Sequence, residues 1–79
     1  MPIYTFHFPS SPDLEPVSEI MDGPDAAREE AAILAGQLMK DLAGDFWHSP
    51  DRRLYVTDEQ GQVVCTVRFI GTGDDEQPS

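Results

Sequence analysis

Arg53-Leu-Tyr-Val-Thr57, then Asp58-Glu-Gln-Gly61, then Gln62-Val-Val-Cys-Thr-Val-Arg-Phe-Ile70 is the stretch whose reading decides the fold. The flanks are rich in β-branched and aromatic residues, and the centre carries Asp and Gly, so the pattern is two strands around a tight turn. Leu54 and Val56 share one side of the first strand; Val63, Cys65, Val67 and Phe69 share one side of the second. Both sets must meet on one face, because a slip of one residue inverts every side chain. A loop of two or four residues satisfies that condition. A three-residue loop would need a compensating bulge.

Working outward, Ile3-Tyr-Thr-Phe-His-Phe8 alternates with the same period. Tyr4, Phe6 and Phe8 lie on one side and Ile3, Thr5 and His7 on the other, which predicts a first strand. Pro9–Pro16 holds three prolines and two serines and reads as a loop. Val17–Met21 is a candidate second strand, placed at an edge because Pro16 cannot donate to a central ladder.

Asp22-Gly-Pro-Asp25 opens a helix, with Asp22 or Asp25 available to cap the free amides and proline tolerated in the first turn. Ala27, Ala31, Leu34, Leu38 and Leu42 follow at helical steps, Ala35 and Met39 widen the stripe, and Gly44 is the expected stop. Asp45–Asp51 then reads as a loop carrying Phe46 and Trp47, which either seal the core or anchor a partner.

The elements add up to an α+β domain of order ββαββ. An antiparallel sheet of three or four strands carries one amphipathic helix on one face. Residues 1–70 form the single compact domain, and 71–79 an acidic mobile tail.

Composition bounds the function. The chain has 79 residues and a net charge of −10, from fifteen Asp/Glu against five Lys/Arg. Phosphate contacts need Lys and Arg, so ordinary nucleic-acid binding and an anionic membrane surface are disfavoured. The longest apolar runs, Ala31–Ala35 and Val63–Cys65, fall far short of the ~20 residues that span a bilayer. One cysteine excludes an internal disulfide and fits a reducing, cytoplasmic setting.

Chemistry-bearing groups are sparse. Cys65 lies on the inferred core face, where a thiol is inert. His7 and His48 are the only imidazoles, too few for a zinc site without carboxylate help from Asp45 or Asp51. Glu29–Glu30 and Asp58–Glu59 sit at a helix start and a turn, where acids are solvated rather than poised in a cleft. Gly71-Thr-Gly73 lacks the Lys and helix of a phosphate loop. No catalytic residue, cofactor, metal or small-molecule substrate is expected.

Several of these segments carry a resemblance. Met1-Pro-Ile-Tyr-Thr-Phe-His-Phe8, the Pro-Asp-Ala-Ala-Arg-Glu-Glu-Ala helix start and Val56-Thr-Asp-Glu-Gln-Gly61 together resemble the short bacterial DUF6894 domains of unknown function. Two departures stand out: Ile3 where Arg is usual, and a proline-rich Pro9–Pro16 where Asp and Gly prevail. The resemblance implies a compact cytoplasmic α+β domain and brings no catalytic residue with it.

One helix shelters one face of a sheet. The covered face takes Tyr4, Phe6, Phe8, Leu54, Val56, Val63, Cys65, Val67 and Phe69. The other displays Ile3, Thr5, His7, Tyr55, Thr57, Val64, Thr66, Arg68 and Ile70. A face so poor in charge marks an interaction surface, for a protein partner or a homodimer. Within it Thr5, His7, Tyr55, Thr57, Val64, Thr66 and Arg68 are the candidate residues. The alternative is an acidic decoy that imitates nucleic acid and binds a basic partner through Asp25, Glu29, Glu30, Asp41 and Asp45.

Overall fold

The computed structural model describes residues 2–73. The order is β1 (Ile3–His7), β2 (Val17–Ile20), α1 (Pro24–Phe46), β3 (Asp51–Thr57) and β4 (Val63–Ile70). The strands form one antiparallel sheet in the order β2-β1-β3-β4, with α1 across one face. This is the ββαββ arrangement that the alternation and the helical stripe predict. Val17–Ile20 is a strand, and it lies at an edge, as Pro16 requires.

The core forms where the two apolar stripes meet. Tyr4, Phe6, Leu54 and Val56 from the sheet pack on Ala27, Ala31 and Ala35 of α1. Phe6, Leu54 and Val56 are fully buried, and each such side chain contributes about 1.5–3 kcal/mol on leaving water. The helix supplies small residues to this contact, and the sheet supplies the bulk.

Four expectations are corrected. The hairpin loop holds three residues, Glu59 to Gly61. Asp58 N–H donates to Gln62 O at 2.9 Å and Gly61 N–H to Asp58 O at 3.0 Å, closing the turn. Gly61 takes a φ of 80°, a left-handed conformation that glycine adopts without steric cost. The odd loop length is offset by a bulge: Val56 pairs with Cys65, while Thr57 pairs with Val63. Val64 is the extra residue. It packs against the core, and Val63 turns outward and is 60 % exposed. The places expected for Val63 and Val64 are therefore exchanged.

The helix has no side-chain cap. Gly23 occupies the cap position, and Asp25 instead accepts a bond from Arg28 Nη1 at 2.9 Å. The helix also passes Gly44 and ends at Phe46, with Ala43 leaving helical geometry (φ 5°, ψ −82°). The break redirects the last turn and sends Phe46 into the interior, where it is buried beside Phe69 at 6.3 Å between ring centres. Trp47 meets Phe46 edge-on and is 56 % exposed.

Gly71 is tied into the fold. Its N–H donates to Pro50 O at 2.9 Å, and it lies under the rings of Phe46 and Trp47. The rest of the expected tail, residues 74–79, lies outside the described residues.

Candidate functional site

The face opposite α1 is built in rows, because antiparallel partners point the same way. Ile3 pairs with Ile20 at one end. Next come Ser18, Thr5, Thr57 and Val63 across all four strands. His7, Tyr55 and Thr66 form the third row, and Arg53 with Arg68 the fourth. Asp51 and Ile70 close the face. Of the residues expected there, Thr5, His7, Tyr55, Thr57, Thr66 and Arg68 share this face, and Val64 does not.

Sequence reasoning missed Val63, Arg53, Asp51, Ser18 and Ile20. The register of β2 was not readable. Asp51 and Arg52 extend β3 beyond the expected Arg53–Thr57, since Pro50 and the polar pair resemble loop chemistry. Arg53 follows from the same alternation that placed Tyr55 and Thr57.

The centre of the face is polar but neutral, and its side chains hold one another. His7 Nε2 and Thr57 Oγ1 are hydrogen-bonded at 2.9 Å, as are Thr5 Oγ1 and Ser18 Oγ. The His7 ring stacks on Tyr55, with centroids 4.6 Å apart and planes within 9°. These contacts hold the hydroxyls and rings in a flat, fixed array. Exposed Ile3, Ile20 and Val63 lie toward one end.

The other end is cationic. Arg53 and Arg68 lie opposite one another, a like-charge pairing that would be unfavourable alone. Asp51 relieves it: Arg68 Nε and Nη2 donate to its two carboxylate oxygens at 2.9 and 2.7 Å. Those bonds from Arg68 hold the Asp51 carboxyl below the usual carboxylate range, and the same bonds raise Arg68. Ser10, Asp51, Arg53 and Arg68 line a shallow depression of about 250 Å³. Two guanidiniums and one carboxylate leave this end net positive in a chain of charge −10.

The other reactive groups lie apart from this face. Cys65 is half-buried against the core, and burial pushes its thiol up. A raised thiol holds less of the nucleophilic thiolate at neutral pH. His48 is exposed beside Asp45, at 3.8 Å. Among the described residues no three His, Cys, Asp or Glu side chains are grouped to hold a metal ion. No described helix is long and apolar enough to cross a membrane.

A second concavity, of about 450 Å³, lies between the Ser10–Leu14 loop and the end of α1. Arg52 forms part of its wall and anchors the loop, donating from Nη1 to Ser10 O at 3.0 Å. Ser10 Oγ in turn accepts from Arg53 N–H at 3.2 Å. These bonds give Arg52 a structural task.

Fold and surface together define a small α+β domain with one sheltered and one open sheet face. The chain matches the model described as Domain of unknown function (DUF6894) over residues 3–70, and it belongs to that family. No curated protein and no solved structure matches it.

Proposed function

We propose that this domain is a non-catalytic interaction module that meets a protein partner through the open face of its sheet. The carrying observation is the composition of that face: a hydrogen-bonded neutral centre around the His7–Tyr55 stack, set between an apolar end and a cationic end. A surface selected for solubility alone interleaves charges of both signs. A contiguous array of aromatic, branched and hydroxyl groups is the composition of a contact surface. Because the stack and the hydroxyl bonds already fix these side chains, less rotamer freedom is lost on docking. In this reading the domain works in the cytoplasm, without cofactor or small-molecule substrate.

Affinity capture from the native host, with the wild type and three variants as baits, tests the reading. A partner held by the wild type, lost with Tyr55→Ala and with Val63→Glu, and kept by Glu29→Lys/Glu30→Lys supports it. A partner indifferent to both face substitutions refutes it. A basic partner released by the helix reversal and by about 0.5 M salt supports the decoy reading instead.

A further inference from the structure

The two edges of the sheet differ in a way that the face does not explain. An edge strand offers unpaired N–H and C=O groups to any other chain, and proteins blunt such edges with short strands, proline, charge or bulges. The β2 edge is blunted: it spans four residues, follows Pro16 and carries Glu19. The β4 edge is not. It spans eight residues, Val-Val-Cys-Thr-Val-Arg-Phe-Ile, with no proline, lysine or acid. Its bulge lies at one end, at Val64, and leaves Cys65–Phe69 in regular pairing with β3. Its single charge is drawn inward: Arg68 reaches across to Asp51 on β3, away from the edge. Among the described residues no strand pairs with the outer side of β4.

We infer that β4 pairs with β4 of a second copy of this chain, antiparallel about a two-fold axis at Val67, joining two sheets into one of eight strands. The inference goes beyond the face reading, since it uses the backbone of an edge and not the side chains of the open surface. Three arguments select a second copy and this register. Antiparallel partners must share a face, so the axis passes through a residue of the regular stretch. An axis at Arg68 sets the two arginines opposite each other, and one at Thr66 runs Arg68 into the bulged Val64. An axis at Val67 uses all five residues on both strands, giving Val67–Val67, Cys65–Phe69 and Thr66–Arg68 pairs. Finally, two chains of charge −10 repel, and this seam brings together strands that contain no acid.

Thr66 is exposed and sits opposite the partner's Arg68 twice in the dimer, so the sign of a charge placed there decides the test. Sedimentation equilibrium up to about 1 mM protein should give a dimer. Thr66→Lys should weaken it about tenfold and Thr66→Glu strengthen it by a similar factor. Amides within Cys65–Phe69 should gain hydrogen-exchange protection as concentration rises. A monomer throughout that range overturns the inference, as does exchange in β4 that ignores concentration. A dimer that responds equally to Lys and Glu at position 66 but is lost with Tyr55→Ala also overturns it, while leaving the face reading intact.

Discussion

Replacing Gly71 by alanine tests how the end of α1 is fastened to the sheet. A Cβ at this position would lie 2.5 Å from Phe46 Cε2 and 2.8 and 3.0 Å from two atoms of the Trp47 indole. Real contacts to a Cβ do not come under 3.0 Å, so something must move. The backbone at residue 71 is held by its bond to Pro50 O. The Trp47 ring is half in solvent and can swing, but the Phe46 ring is 3 % exposed and packed on Phe69. Overpacking of this kind costs about 1–3 kcal/mol, and complete loss of the Phe46 packing sets a ceiling of about 3–5 kcal/mol. A central value of about 2 kcal/mol corresponds to roughly 8–16 °C in Tm for a domain of this size. Gly36→Ala is the internal control. It meets nothing within 4 Å and should stabilise by about 0.5–1 kcal/mol through helix propensity. Urea unfolding followed by Trp47 fluorescence measures both. If Gly71→Ala unfolds within about 0.5 kcal/mol of wild type, the aromatic clamp does not rest on residue 71 and the reasoning fails.

Three more outcomes follow from the hairpin and the charged end of the face. Val64→Glu drives a charge into the core margin and should cost about 2–3 kcal/mol, whereas Val63→Glu should stay within about 0.5 kcal/mol by chemical denaturation; equal effects would contradict the bulge. Asp58→Ala removes one oxygen that accepts from both Gln60 N–H and Gln62 N–H at 2.9 Å, and should destabilise by about 1–2 kcal/mol, with Asp58→Asn milder. Asp51 has a folded pKa below its unfolded value of about 3.9, so its stabilising contribution is present above that value and is lost as pH falls through the folded pKa. An NMR titration should find its midpoint below the usual range, and Arg68→Gln should move that midpoint up.

What the residues made legible follows from periodicity. Alternation in Ile3–His7 and Arg53–Thr57, and the three-to-four spacing from Ala27 to Leu42, are long enough to place each element and its buried side. The bulge was hidden for a chemical reason: Val63 and Val64 are the same residue, so hydrophobicity cannot say which of them faces inward. Only the closure of the turn decides it, through the left-handed Gly61. Gly44 carries the usual stop signal, yet the helix runs on to Phe46. Burial of Phe46 prolongs the helical chain past that glycine, tertiary packing overriding local preference. On the open face, Thr5, His7, Tyr55 and Thr57 followed from alternation. Ser18 and Ile20 depended on a register that one sequence does not encode locally.

The alanines of α1 leave that rod with few teeth, Leu34 being the one large side chain packed at their margin. Ala27, Ala31 and Ala35 present a nearly smooth strip to the aromatic and branched groups beneath. Such a contact resists lifting, since lifting exposes Phe6, Leu54 and Val56 at once, but it gives little grip along the axis. Further grip comes from the far end, where Phe46 is lodged beside Phe69 above Gly71. The rod is therefore held in height by its alanine strip and along its axis by Leu34 and Phe46. Loosening the Phe46 mooring would weaken that hold from one end only.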